Sequence, residues 1–282
     1  MKSSLLLRMC LIIIFLFTLS SIAYGFEQEK LKLRTFSNHN FKSEFKKSDA
    51  KVSSTRYGIR ADYSYFALLY DYTDYSWSRI NNKPWNGLHN ISLSARKRFV
   101  LNEDWMLSTG AAVRSLFEKE ISRSVGAGAD ITFIRLFSNG WSAGIGIAGV
   151  YHPVTSALFP VITIGYAPAG DKGFSVRAGF PETYAKYAFN PNLSIKAYGD
   201  YMSRAYRLEN NSPVISKGYF REQGIKFGLQ MEVKPVNAMN ISFGPYYIVD
   251  RKWKTYNKSG SRLNTEKLDN TPGAEISISW RF

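Results

Sequence analysis

The chain has 282 residues, with 37 lysines and arginines against 22 acids and a formal charge of +15; 45% of it is hydrophobic and 15% aromatic. That length fits one large domain. Beyond the first twenty-five residues no apolar run is long enough for a spanning helix, which excludes helical membrane proteins but not β-barrels, whose strands are only half apolar.

Residues 1–25 read as a secretory signal peptide. Lys2 and Arg8 give a positive start, Cys10 to Leu19 an apolar stretch, and Ala23 and Gly25 small residues before Phe26. Cys10 is the only cysteine. The mature chain is therefore expected to lack disulfide and thiol chemistry. Removing Lys2 and Arg8 lowers the formal charge from +15 to +13. Such a balance favours anionic partners. In an exported protein these are lipid head groups or anionic solutes rather than nucleic acid.

Residues 26–56 are polar and charged. They read as a loose N-terminal segment or a short plug. From residue 57 onward, period-two alternation replaces any helical period, with Gly, Pro, Asn and Asp punctuating it. Twelve strands are expected near 64–78, 88–100, 105–117, 122–136, 141–151, 158–166, 174–179, 184–189, 193–206, 218–233, 239–256 and 272–282. The stretch "RYGIRADYSYF" leaves open an additional strand before the first. Links after even strands are mostly tight, such as "LNED", "SNG", "NPN" and "KPVN". Those after odd strands include long charged ones, such as "RINNKPWNG", "RLENNSPVISK" and "NKSGSRLNTEKLDNT". An up-and-down meander with short turns at one end and long loops at the other is the pattern of a transmembrane antiparallel β-barrel in a bacterial outer membrane. A soluble β-sandwich also alternates. Here, however, the polar faces mix Gly and Ser with Arg, Lys and Glu, which suits a wet interior, and Tyr and Trp gather at strand ends.

In "GAEISISWRF" Ile276, Ile278 and Trp280 alternate with Glu275 and Arg281. The ending Trp280-Arg281-Phe282 resembles the C-terminal insertion signal of outer-membrane barrels, and that resemblance implies recognition of Trp280 and Phe282 by the barrel assembly machinery. The blocks "FALLYDYTDYSWS" and "GFPETYAKYAFNPNLSIKAYGDYMSRAYRL", with the terminal strand, resemble a family of bacterial outer-membrane barrels known only as a domain of unknown function. The likeness spans about residues 60–282. It implies fold and location, and carries no site residues.

The polar faces place Arg96, Arg98, Arg114, Arg177, Lys186, Lys196, Arg204, Lys226 and Arg281 in the lumen with Asp71, Asp130, Asp200, Glu232 and Glu275. Strands three to five line it instead with Gly110, Ala112, Gly126, Gly128, Gly144, Gly146 and Ala148. One wall is smooth and the other charged. Such a lumen forms either a narrow, anion-favouring passage or an ionic core that fills the barrel. Near the outer ends of the later strands, Arg251, Lys252 and Lys254 are expected to meet lipopolysaccharide phosphates at the rim. His39, His89 and His152 are the only histidines. His152 near Ser156 is the one pairing a lipid hydrolase could use, and an isolated loop histidine does not carry that reading. No catalytic residue, metal or cofactor is assigned. The sequence thus points to a narrow channel or uptake barrel for small, anionic solutes, the alternatives being a filled structural or adhesive barrel and an outer-membrane lipid enzyme.

Overall fold

The structure, a computed structural model, describes residues 31–282 except 169, 171 and 181. The expected signal peptide and residues 26–30 lie outside the described residues.

Fifteen strands run in chain order: β1 (Lys32–Phe45), β2 (Ser48–Tyr63), β3 (Phe66–Ser78), β4 (Gly87–Val100), β5 (Trp105–Phe117), β6 (Val125–Leu136), β7 (Trp141–His152), β8 (Thr155–Tyr166), β9 (Gly173–Gly179), β10 (Glu182–Asn190), β11 (Leu193–Arg207), β12 (Tyr219–Val233), β13 (Met239–Tyr256), β14 (Arg262–Lys267) and β15 (Thr271–Arg281). Each strand from β1 to β13 pairs antiparallel with its successor, β13 pairs with β15, and β15 pairs with β1 from Lys32↔Arg281 to Asn40↔Gly273. The sheet is therefore a closed ring of fourteen strands. β14 stands outside it as a short upper continuation of β15 along β13. Closure leaves no free edge at the β1–β15 seam, as hydrocarbon demands.

The count corrects the expected twelve. The two additional strands are β1 and β2, which occupy most of the segment expected to be loose or a plug. The stretch "RYGIRADYSYF", left open as an additional strand, holds the second half of β2; the outward face of β1 explains why alternation does not reveal that strand. Along β1 the outward residues are Leu33, Thr35, Ser37, His39 and Phe41, of which only the first and last are apolar. His39 and Thr55 of β2 even share a hydrogen bond of 2.8 Å on that face. Long-range pairing with β15 and β3 holds these strands in register.

Elsewhere the alternation places apolar side chains outside. Leu158 is 72% exposed, and Ile145, Ile147, Ile162, Phe227, Leu229, Ile276 and Ile278 are also on the outer surface. Trp105, Trp141 and Trp280 mark the end with the tight turns, Tyr70, Tyr151, Tyr201 and Tyr247 the other, consistent with aromatic girdles. Two features break the regular wall near the long-loop end. In β13, the step from Gln223↔Lys252 to Ile225↔Val249 inserts one residue at Asp250, which has φ 51°. This β-bulge reverses the inward set from Tyr246 and Ile248 to Arg251 and Trp253. The upper β11–β12 hairpin also leaves the wall and crosses the lumen. Arg207 forms a parallel bridge with Phe117 of β5, and the hairpin's Ala205, Tyr206, Arg207, Tyr219 and Phe220 are buried on both faces. The hairpin lies against the smooth wall anticipated from Gly126, Gly128 and Ala148. There Tyr219 packs edge-on against His152 at 5.7 Å, and its hydroxyl donates to the Arg123 carbonyl at 3.2 Å.

Candidate functional site: a polar cavity under an aromatic plug

The lower lumen holds a cavity of about 410 Å³ lined by Arg34, Glu182, Lys196, Tyr198, Asp200, Lys226, Gln230, Glu232, Asn240, Ser242, Glu275, Ser277 and Ser279. β1, β13 and β15 supply one side, and β10, β11 and β12 the other. Asn240 and Ser279 sit within a few residues of strand ends, so the cavity reaches toward the tight-turn end.

Ion pairs organise this space. Glu275 accepts from Lys226, from the Tyr198 hydroxyl and, at 2.8 Å, from Gln230 Nε2. Lys186 and Ser194 donate to Glu232 at 2.5 and 3.1 Å, and Lys196 to Glu182 at 3.2 Å. Further round, Arg96 grips Asp130 through two bonds of 2.7 and 3.1 Å. Higher up, Arg56 holds Asp71 bidentately at 2.7 and 2.6 Å, and Asn90 Nδ2 donates to the same carboxylate at 2.7 Å. Asp71 is fully buried. Its charge is therefore matched by a forked donor, the geometry that suits a buried carboxylate.

Above these pairs the interior turns apolar. Val52, Tyr75, Trp85, Leu88, Leu116, Tyr206, Leu208, Phe220, Trp253 and Leu268 form one buried cluster, with Phe45 and Trp77 packed against it. Ring centroids lie at 4.3 Å for Trp85–Phe220, 4.8 Å for Phe220–Trp253 and 5.5 Å for Trp77–Trp85. These are edge-on and tilted contacts of the kind that stabilise aromatic cores. The Trp77 indole N–H donates to the Trp85 carbonyl at 2.8 Å, pinning the β3–β4 loop inward. Trp85, Leu208 and Leu268 come from connections and the other members from strands around the ring, so the plug joins wall side chains to three loop residues that fold into the mouth.

The expected lumen residues fall into groups. Lys196, Asp200, Lys226, Glu232 and Glu275 meet around the cavity, and Arg96 and Asp130 pair nearby. Arg98, Arg114, Arg177 and Arg281 face the lumen by register and form no salt bridge among the described residues. Arg204 lies close to Asp71 and Glu222. The cavity lining itself carries Arg34, Lys196 and Lys226 against four acids, so the positive excess surrounds it rather than lining it. Arg251 corrects the expectation of an outer-rim cation. It is 2% exposed and donates from Nη2 to Glu222 Oε1 at 2.9 Å inside the plug. The Asp250 bulge is the cause, because it turns Arg251 inward. Lys252 and Lys254 do face outward, Lys252 at 2.7 Å from Asp250. His152 ends β7 pointing inward, while Ser156 faces outward beside Tyr151. The two occupy opposite faces of the sheet, which removes the hydrolase-like pairing. His89 sits on the outer face among Tyr70, Tyr72 and Phe117. Trp280 faces outward, 6.5 Å from the Phe282 ring.

Sequence reasoning missed the plug. Its signal was modest: a tryptophan in the polar loop "NNKPWNG", and aromatics on the inward positions of β3, where alternation favours small polar groups.

No family model matches the chain, and no curated protein matches it. Solved structures with a similar overall course include an outer membrane channel from Pseudomonas putida F1, at 8% identity over 92% of this chain and 98% of that one, TM-score 0.49. The NanC porin aligns at 10% identity over 89% and 100%, TM-score 0.42. The toluene transporter TodX from P. putida aligns at 10% identity over 92% and 91%, TM-score 0.40. No solute is transferred from these likenesses.

Proposed function

We propose that the chain is an outer-membrane channel for small, anionic solutes, held shut by its aromatic plug. The observation that carries this is the polar cavity beneath a plug to which the loop residues Trp85, Leu208 and Leu268 contribute. A barrel whose only task is to be stable has no need of a polar cavity, and the loop residues are the part of the closure that can move without disturbing the ring. Arg98, Arg114, Arg177 and Arg281, which form no salt bridge among the described residues, support an anionic preference, since fixed cations in a narrow lumen attract and select anions. In this reading Trp280 and Phe282 are the ending recognised by the assembly machinery, and Lys252 and Lys254 meet lipopolysaccharide phosphates.

Planar-bilayer recording tests the channel. Wild-type protein is expected to show rare, small openings. The double variant Trp85→Ala, Trp253→Ala is expected to conduct at least several-fold more, with a reversal potential in a salt gradient that favours chloride over potassium. A folded double variant that stays silent supports the filled barrel instead.

A further inference from the structure

β9 and β10 stop short of the other strands. β8 pairs with β9 only from Thr163↔Gly179 to Tyr166↔Val176, and β10 ends against β11 at Glu182↔Asp200. Above that level residues 155–162 of β8 and 201–206 of β11 have no ladder partner on their facing edges among the described residues. Lower down, two strands stand between β8 and β11, which sets them about three interstrand spacings, roughly 14 Å, apart. The wall thus has a side window above the β9–β10 turn. It opens among the most lipid-exposed residues, Leu158 and Ile162.

The window has a defined lining. Its sill is aromatic: Phe180 at the β9–β10 turn packs edge-on against Phe159 at 5.2 Å and lies 6.1 Å from Tyr201. Its roof is cationic. Arg221 donates from Nε to Ser203 Oγ at 3.0 Å and from Nη1 to Thr155 Oγ1, and forms no salt bridge among the described residues. Beside it His152, the ladder partner of Thr155, is 5% exposed. Its Nδ1 accepts from the Val154 N–H at 3.4 Å, so Nε2 carries the proton, and Nε2 has no partner among the described residues. Ala157 faces the lumen side of β8 and is exposed. Backbone groups at membrane depth are tolerated without a ladder only where protein, water or a polar ligand satisfies them.

We infer that this window admits an anionic amphiphile with a single hydrocarbon tail from the outer leaflet, its tail over Phe159, Phe180 and Tyr201 and its head group at Arg221 and His152. Charge complementarity fixes the head: Arg221 and the His152 Nε2–H are donors, and neither is bonded to an acid among the described residues. The adjoining hydrocarbon and the aromatic sill fix the tail. None of the window residues belongs to the plug or the polar cavity, so the inference is tested independently of conduction.

Cysteine protection tests this. In a Cys10→Ser background, which leaves no other cysteine, Ala157→Cys and, as control, Leu158→Cys are reconstituted in phosphatidylcholine nanodiscs. The rate of modification by a membrane-permeant maleimide is read with dodecyl phosphate, dodecyl maltoside or inorganic phosphate added. Dodecyl phosphate is expected to slow the Ala157→Cys reaction at least tenfold and leave Leu158→Cys unchanged, while the neutral amphiphile and the tail-less anion protect weakly. Adding Arg221→Gln is expected to abolish the advantage of dodecyl phosphate. Folding of each variant is checked by the heat-dependent electrophoretic shift of an intact barrel. Absence of protection, protection equal with dodecyl maltoside, or protection unaltered by Arg221→Gln in folded protein overturns the assignment.

Discussion

Aromatic rings narrow the lumen by lying across neighbouring glycines. Phe36 covers Gly58, Tyr198 covers Gly228 and Tyr246 covers Gly273, each pair being cross-strand partners. A Cβ on any of the three glycines would stand 2.2–2.3 Å from the ring. These rings carry the cations: the Lys226 Nζ lies 3.9 Å from the Tyr246 centroid and 5.4 Å from that of Tyr198, within the range of a cation–π attraction. The Tyr246 hydroxyl also donates to Asn40 Oδ1 at 2.7 Å, across β15. Gly228→Ala is therefore expected to push Tyr198 from Glu275 and cost about 1–3 kcal/mol, seen as a lower urea midpoint for the folded electrophoretic band. An unchanged midpoint would show that the ring moves freely. At this scale the sequence was informative where alternation held, and so the partners Arg96 and Asp130, and Lys226 and Glu275, were legible as inward charges. Arg251 was not, because a one-residue bulge reverses alternation and an Asp with positive φ leaves no strong mark in the chain.

Among elements, the β11–β12 hairpin is the decisive departure from a plain barrel. It is held across the mouth by a polar latch. The Glu118 N–H donates to the Arg207 carbonyl at 2.9 Å, the Glu209 N–H to Glu118 Oε2 at 2.9 Å, and Lys119 pairs with Glu209. Burial raises the Glu118 carboxyl above its ordinary value, although the Glu209 N–H and Lys119 pull it down. A carboxyl whose folded pKa is raised holds its proton more tightly in the closed latch than in the open one. The latch is therefore strongest in acid and weakens as pH rises through the carboxylate range. Glu118→Gln keeps the carbonyl acceptor without the buried charge. It is expected to slow hydrogen exchange of the Glu209 amide at neutral pH, with the difference from wild type vanishing below about pH 4. Faster exchange in Glu118→Gln at neutral pH would show that the charge itself holds the latch. Each of the twelve expected strands has its counterpart, because a half-buried wall enforces period two. The second half of β2 was left open as an additional strand, whereas β1 escaped since its outward face is only partly apolar and its place depends on closing with β15, a partner more than two hundred residues away.

For the whole molecule, ring closure determines what the interior can be. Fourteen strands enclose more space than eight, which side chains can fill, and less than the sixteen that leave an aqueous channel. The ion pairs, the aromatic plug and the inward hairpin take up the difference, leaving the polar cavity. That the chain forms a barrel was readable from uneven loop lengths and from charges confined to one face. That the barrel is plugged was not, since loop side chains such as Trp85 and Leu268 acquire their positions only from the tertiary fold.

Spin-label accessibility along the closing seam tests the central claim most directly. Nitroxides placed one at a time at Arg34 and Thr35 of β1, and at Ser277 and Ile278 of β15, are compared for collisions with oxygen, enriched in lipid, and with a water-soluble nickel complex. Wall strands with a wet interior predict period two in both: oxygen favoured at Thr35 and Ile278, nickel at Arg34 and Ser277, all four immobilised. Mobile labels at Arg34 and Thr35, equally open to nickel, would contradict the account by taking β1 out of the wall and leaving the barrel open at the seam.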